Sequence, residues 1–210
     1  ASLTGPELAH GTSVALSSAG DVAVVGAPTS TDAGRARVFV RSGTTWSEDA
    51  VLVPSGGSVG DGFGAAVALS GDATTVLVGA PDDSTAAGAR AGTVRVFVRG
   101  GPGWTEQATL SSPSAAANDT LGRAVALTAD GSRALVGVPG GAFPNTDGLA
   151  EVFLRSGTSW ALEAVFVASD SASFDSFGAS VGLSADGSRA LVGAPDDHTA
   201  AGLSAGSARP

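Results

Sequence analysis

Hydrophobic and polar positions follow one another in short blocks along this chain of 210 residues. The blocks are separated by Gly, Asp, Ser and Pro, which are residues that favour tight turns. Some blocks, such as residues 67–69 and 75–78, are almost wholly apolar, as expected of strands covered on both faces. Others, such as residues 35–41, alternate between apolar and polar side chains. This pattern predicts an all-β protein.

The blocks form a repeat of about 55 residues, marked by lead glycines at Gly11, Gly64, Gly122 and Gly178. Each complete repeat predicts four strands, A to D, which in the first copy are residues 14–16, 22–25, 35–41 and 46–53. Asp-Gly and Ser-Gly pairs between strands favour hairpin turns. Four antiparallel strands at this period are typical of β-propeller blades, and a β-solenoid is the main structural alternative.

We therefore expect a single β-propeller segment over residues 1–210, with repeats over about 11–63, 64–121, 122–177 and an incomplete 178–210. The pattern predicts about three and a half blades, because no Val-Phe-Val block or Trp follows the last B strand. A half-blade exposes an apolar edge, so we expect no closed monomeric ring. Either further blades of a longer chain or a second copy would cover this edge, and two copies would give seven blades.

The residues that carry the period also resemble a known family. Phe63-Gly64 is followed by Gly79-Ala80-Pro81, and Phe177-Gly178 by the same tripeptide. These pairs resemble FG-GAP repeats, the unit of the integrin α-subunit head propeller and of many bacterial surface proteins. The resemblance implies a non-enzymatic binding or adhesion scaffold, extracellular or at the cell surface. His10 and Leu121 replace the Phe, and Val138 replaces the Ala of the third tripeptide, so the first and third blades are expected to be less regular.

Composition excludes several classes of partner. The net charge is −9 and no Lys is present, which disfavours nucleic acid and acidic lipid surfaces. No apolar run approaches the roughly 18 to 20 residues that cross a bilayer, so no membrane insertion is expected. The absence of Cys removes disulfides, thiolate nucleophiles and Cys-type metal sites.

The family resemblance also implies a calcium loop between strands A and B, with an Asp-x-Asp-x-Asp-Gly pattern. The A–B connections of this chain depart from that pattern, because each has one carboxylate where a calcium ion takes six to eight oxygen ligands. The carboxylates are Asp21, Asp72, Asp130 and Asp186. We expect plain hairpin turns here and no cofactor.

A second set of acidic residues is expected to converge on one face. In an up-and-down meander the B–C and D–A loops lie at the same end of the blades. These loops carry Asp32, Asp61, Asp82, Asp83, Asp119, Asp147, Asp170, Asp175, Asp196 and Asp197. Such residues commonly cap loop amides, and the alternative is that this face binds a cation or a basic partner.

One Trp enters strand D in each complete repeat, at Trp46, Trp104 and Trp160. Each indole is expected to cap the outer edge of its blade and to pack on the Phe of strand C, which is Phe39, Phe97 or Phe153. The alternative is a multivalent lectin in which these rings stack on sugars.

Evidence for catalysis is weak. His10 and His198 have no nucleophile placed by a motif, and no phosphate-binding loop opens a helix. We therefore expect no enzymatic activity. The alternative is a metal-dependent hydrolase or lyase that uses Asp83 and Asp197 near a metal ion.

Overall fold

The computed structural model describes residues 3–6, 8–29, 31–101, 103–140, 147–169, 174–198 and 204–210. Within these residues the chain forms three four-stranded antiparallel sheets and one three-stranded sheet, in a β-propeller arrangement. The strands of the first sheet are β1 (Ser13–Leu16), β2 (Val22–Ala27), β3 (Arg35–Ser42) and β4 (Thr45–Leu52). The all-β fold class predicted from the pattern is confirmed.

The remaining blades repeat the same order. The second is β5 (Ala66–Leu69), β6 (Thr75–Ala80), β7 (Thr93–Gly100) and β8 (Gly103–Leu110). The third is β9 (Ala124–Leu127), β10 (Arg133–Val138), β11 (Leu149–Ser156) and β12 (Ser159–Phe166). The fourth is β13 (Ser180–Leu183), β14 (Ala190–Ala194) and β15 (Ser207–Arg209). The A strands of successive blades lie against one another, so the C and D strands face outward.

The hydrophobic core lies between the blades. Val24 and Val38 of the first blade pack against Val76, Val78 and Phe97 of the second, and all five side chains are buried. Equivalent clusters join the second blade to the third and the third to the fourth. Each blade is therefore stabilised by burying its faces against its neighbours, as expected of a repeat protein.

The glycines of the repeated phrases permit close contact between adjacent blades. Gly122 has a φ of +90°. Its carbonyl oxygen lies 2.0 Å from the position that a Cβ on Gly79 of the preceding blade would take, which is too close for any side chain. The Gly122 amide donates to the Gly137 carbonyl at 3.1 Å within its own blade. A side chain at either position would require the backbones to separate.

The first and third blades keep the regular geometry despite their sequence departures. Leu121 is completely buried and forms the same bridge to the preceding blade as Phe63 and Phe177. His10 contacts Phe39 edge-on at 6.3 Å, much as Phe63 contacts Phe97 at 6.0 Å. The expectation of a less regular third blade is wrong, because Leu fills the Phe position and β9 to β12 match β5 to β8 in length.

The fourth blade extends further than the sequence pattern indicated. Ser207–Arg209 pairs with β14 as the beginning of a C strand, although it lacks the Val-Phe-Val pattern. Backbone pairing, which is insensitive to side-chain hydrophobicity, explains this difference. In the first blade, Val14 and Leu16 are 70% and 58% exposed, whereas the equivalent Val67 and Leu69 are buried.

Candidate functional site: the loop face and the outer rim

The B–C and D–A loops meet at one end of the blades, as the strand order predicted. The amide of Asp82 donates to the carbonyl of Asp61 at 3.1 Å, and Asp196 donates to Asp175 at 3.3 Å. Gly140 donates to the Asp119 carbonyl in the same way. We refer to the surface formed by these two sets of loops as the loop face.

Arginine side chains neutralise several of the carboxylates on the loop face. Asp82 pairs with Arg90 at 2.8 Å, and Asp197 pairs with Arg209 at 2.9 Å. Asp32 pairs with Arg35 and also accepts a hydrogen bond from Thr29. The Thr29 hydrogen bond is the main cause that lowers the pKa of Asp32, with smaller help from Gly34 and Arg35.

Arg95 forms the most enclosed of these networks. Its guanidinium contacts Asp83 and Glu106, each at 3.1 Å. Thr93 donates its hydroxyl to the same Asp83 oxygen at 2.6 Å. A related arrangement holds in the fourth blade, where the proximity of Ser207 and Arg209 lowers the pKa of Asp197. Asp83 and Asp197 therefore each have an internal cationic partner.

The carboxylates of the D–A loops cap their own turns. Ser58 donates its amide to Asp61 at 2.6 Å, and Ala116 donates to Asp119 at the same distance. Burial nevertheless raises the pKa of Asp119. Asp175 is buried at the equivalent position, and Asp170 lies outside the described residues. The loop-capping interpretation thus accounts for these contacts.

An open cavity of about 440 Å³ lies on the loop face, where three blades meet. Pro81, Pro139 and Pro195, the prolines of the repeated tripeptide, line it. Arg90 and the exposed Arg123 lie at the same cavity. Arg123 was not identified as a candidate from sequence, although it follows the lead glycine where the other copies have Thr12, Ala65 and Ala179.

The third blade departs from the pattern of internal ion pairs. Arg37, Arg95 and Arg209 occupy equivalent positions on the C strands, opposite Val25, Val78 and Val192. Glu151 occupies this position in the third blade, opposite Val136, and is completely buried. Burial raises the pKa of Glu151, and the charge of Asp119 raises it further. Alignment of the repeats reveals this replacement from sequence, but only contacts show its surroundings.

The three tryptophans are half-buried at the outer rim. Trp104 packs on the cluster that contains Phe97, and Trp160 packs on the cluster that contains Phe153. The Arg99 guanidinium lies 5.7 Å from the centre of the Trp104 ring, and Arg155 lies 5.9 Å from that of Trp160. The sequence reasoning did not identify these arginine neighbours, which cross-strand pairing places opposite each indole.

Trp104 also joins two blades. Its indole N–H donates to Asp49 of the first blade at 3.2 Å, and Arg99 pairs with the same carboxylate at 3.2 Å. These contacts add polar links to the apolar packing. They are consistent with a structural role for the indole, while sugar binding stays a prediction.

The A–B turns occupy the opposite end of the blades. Each carboxylate accepts hydrogen bonds from its own turn, as when Ser184 and Ser188 donate to Asp186 and lower its pKa to about 2. The turns are also linked across blades, since Gly71 donates its amide to Ala129 at 2.8 Å. Across the described part of the chain, no group of three His, Cys, Asp or Glu residues is arranged to hold a metal ion.

Comparison with known proteins supports the repeat assignment. The FG-GAP repeat family matches residues 46–97 and 160–208. Both segments run from one D strand to the C strand of the next blade, and thus span a junction between blades. A search of curated protein sequences gives no significant match.

Solved structures share the fold at low sequence identity. A crystal structure from Bacteroides uniformis, provisionally described as a 6-phosphogluconolactonase, has a TM-score of 0.62 and 13% identity, covering 92% of this chain and 53% of that one. A eukaryotic initiation factor structure has a TM-score of 0.50 and 10% identity, covering 79% and 33%. The present chain thus spans about half the length of the first structure. In its described residues there is no helix that is long and apolar enough to span a membrane.

Proposed function

From the premise that this chain is an FG-GAP repeat protein with propeller blades, we propose that it is a non-enzymatic binding scaffold for a protein partner. The proposal places it outside the cell or at the cell surface, where it serves adhesion. The observation that carries the binding role is the convergence of loops from three blades around an open cavity of about 440 Å³. Propellers present such loop surfaces to partners while the sheets keep them rigid.

The chemistry of the cavity favours protein recognition. It is open to solvent and its lining is evenly mixed between polar and apolar groups, whereas small-molecule sites are usually enclosed and mainly apolar. Arg123 and Arg90 supply guanidinium groups, which are enriched in protein interfaces, and Asp82 and Asp196 supply carboxylates. A mixed surface of this kind recognises a partner with complementary charges.

The enzymatic alternative receives less support from the contacts of Asp83 and Asp197. Arg95 and Arg209 neutralise these two carboxylates, which lie in different blades. The structural likeness to the Bacteroides uniformis protein concerns the fold alone, at 13% identity. We expect no hydrolysis of 6-phosphogluconolactone by this chain, and measurable turnover would contradict the non-enzymatic proposal.

The binding role can be tested with peptides selected from a displayed random library on the immobilised protein. We expect the selected peptides to lose at least tenfold affinity for Arg123→Glu, because this variant reverses a charge on the loop face. Asp130→Ser, in an A–B turn at the opposite end, is the matched control and should bind normally. Failure to select a peptide, or equal binding to both variants, would refute the loop face as the binding surface.

The proposed location needs a separate measurement. Protease added to intact source cells should digest the protein if it is displayed outside. Protection until the cells are lysed would contradict an extracellular or cell-surface location.

A further inference from the structure

The third blade contains a cavity where the second blade has an ion-pair network. The cavity has a volume of about 220 Å³ and is lined by Ser112, Asp119, Asp147 and Leu149, among others. Leu149 stands at the position of Thr93, which in the second blade donates to Asp83. The replacement of Thr by Leu removes one donor of that network from the third blade.

Glu151 contacts the lining of this cavity through Ser112. Its Oε1 accepts a hydrogen bond of 2.6 Å from the Ser112 hydroxyl, and Ser112 itself lines the cavity. Its Oε2 is buried and has no hydrogen-bond partner among the described residues. A buried carboxylate oxygen without a donor costs considerable free energy, so this atom marks a place where a donor is missing.

The other blades show which donor fits this position. In the second and fourth blades a guanidinium from the C strand contacts a carboxylate of the B–C loop, through Arg95 and Arg209. In the third blade the C-strand residue is itself a carboxylate, and Asp119 adds a second one close enough to raise the pKa of Glu151. Within the described part of the chain, no arginine forms an ion pair with Glu151.

We propose that this cavity binds a guanidinium group of a partner, an arginine side chain in the first instance, through Asp119 and Asp147 of its lining, while Glu151, buried behind Ser112, adds negative charge. A planar guanidinium carries five N–H donors and matches carboxylate oxygens in pairs. The cavity exceeds the roughly 30 Å³ that one water occupies in the liquid several times over, which leaves room for the group and for water. The partner's arginine would thereby supply from outside a cation that the other three blades carry internally, at the position of Glu151.

This inference rests on the proposed binding function and specifies the chemistry of one contact. The cavity concerned is a different one from the 440 Å³ cavity lined by Pro81, Pro139 and Pro195. The direct test is a titration of the 15N-labelled protein with Nα-acetyl-arginine amide, followed by NMR. We expect saturable shifts centred on Ser112, Asp119 and Gly148, which line the cavity. Nα-acetyl-citrulline amide, which has the same shape without the charge, should bind at least tenfold more weakly.

Glu151→Gln should weaken arginine-amide binding at least tenfold, because it removes the buried negative charge. Glu163→Gln makes the same change at an exposed glutamate of the third blade that pairs with Arg133, and should leave binding unchanged. Asp147→Asn provides a second test at a half-buried cavity residue if Glu151→Gln does not fold. A several-fold loss of affinity is expected for it.

Equal binding of the arginine and citrulline probes would overturn the proposal, as would binding that survives both Glu151→Gln and Asp147→Asn. Absence of saturable shifts at the cavity would overturn it as well. Calcium titrated alone is a further arm, and tight calcium binding at these residues without arginine binding would identify a metal site instead. Library peptides that bind the loop face while arginine amide fails would leave the proposed function intact and refute this inference alone.

Discussion

Removal of the Arg95 guanidinium should strongly destabilise the second blade. The side chains of Arg95, Asp83 and Glu106 are only 12%, 13% and 16% exposed. Arg95→Met keeps much of the aliphatic volume and leaves both carboxylates without their cation. Breaking a buried ion pair in this way costs about 3–5 kcal/mol, because the remaining charge stays desolvated.

The size of the effect can be compared with an exposed pair of the same type. Arg133 contacts Glu163 at 2.8 Å, but these side chains are 37% and 33% exposed. Exposed pairs contribute about 0–1 kcal/mol, so Arg133→Met should be nearly neutral. In a chain of this length, 1 kcal/mol corresponds to about 2–4 °C in melting temperature, so Arg95→Met should lower it by about 6–20 °C.

Urea unfolding followed by tryptophan fluorescence measures both variants. The triple variant Arg95→Met, Asp83→Asn and Glu106→Gln should recover part of the lost stability, because it removes the two desolvated carboxylate charges along with the cation. A loss of less than about 1 kcal/mol for Arg95→Met, or equal losses for Arg95→Met and Arg133→Met, would refute the burial argument.

Four further measurements follow from the described contacts. Trp104→Ala should lower the free energy of unfolding by about 2–4 kcal/mol, since the half-buried indole packs on the cluster that contains Phe97. A fully stable variant that lost glycan binding on an array would instead favour the lectin alternative. Chelation of divalent ions should leave the melting temperature unchanged, because the A–B carboxylates accept hydrogen bonds from their own turns. A ligand present at a hundred times its Kd stabilises the native state by about 2.7 kcal/mol, so a fall in melting temperature of that size would contradict this prediction. The free energy of unfolding should fall as pH rises above 4.5 toward the raised pKa of Glu151, because the native state then binds more protons than the unfolded state. Glu151→Gln should reduce this dependence of stability on pH, although the raised pKa of Asp119 preserves part of it. An unchanged pH dependence in Glu151→Gln would exclude Glu151 as its source. Light scattering on the 210-residue chain should show self-association through the exposed Val14 and Leu16, and a stable monomer would argue against it.

Sequence reasoning predicted the blades because their determinants are local. Hairpin turns and apolar blocks placed β1 to β6 within one or two residues, and the recurring glycines set the period. The third strand of the fourth blade was missed because Ser207–Arg209 has no apolar pattern, and its pairing with β14 is a backbone interaction. Leu121 shows the converse, since a changed side chain left the local geometry intact.

The charges of the loop face were harder to predict because their partners are distant in sequence. The loop contacts of Asp61, Asp119 and Asp175 lie at one end of the blades as expected. Arg95, by contrast, reaches Asp83 and Glu106 only through strand pairing. Turn chemistry suggested that these carboxylates cap loops, which holds for Asp61 and Asp119. The effect of burial on Glu151 could not be deduced without knowing that Ser112 lies against it.

Features that recur in every blade are explained by the need to build and join blades, so single-copy departures are the better guide to binding. Two such departures lie in the third blade. Arg123 follows the lead glycine where the other copies have small residues, and Glu151 replaces an arginine on the C strand. Neither residue is required by the blade geometry, since the third blade has the same strand lengths as the second. An exposed cation and an unneutralised carboxylate within one repeat give the loop face an asymmetry that a partner with both charges could recognise in a single orientation.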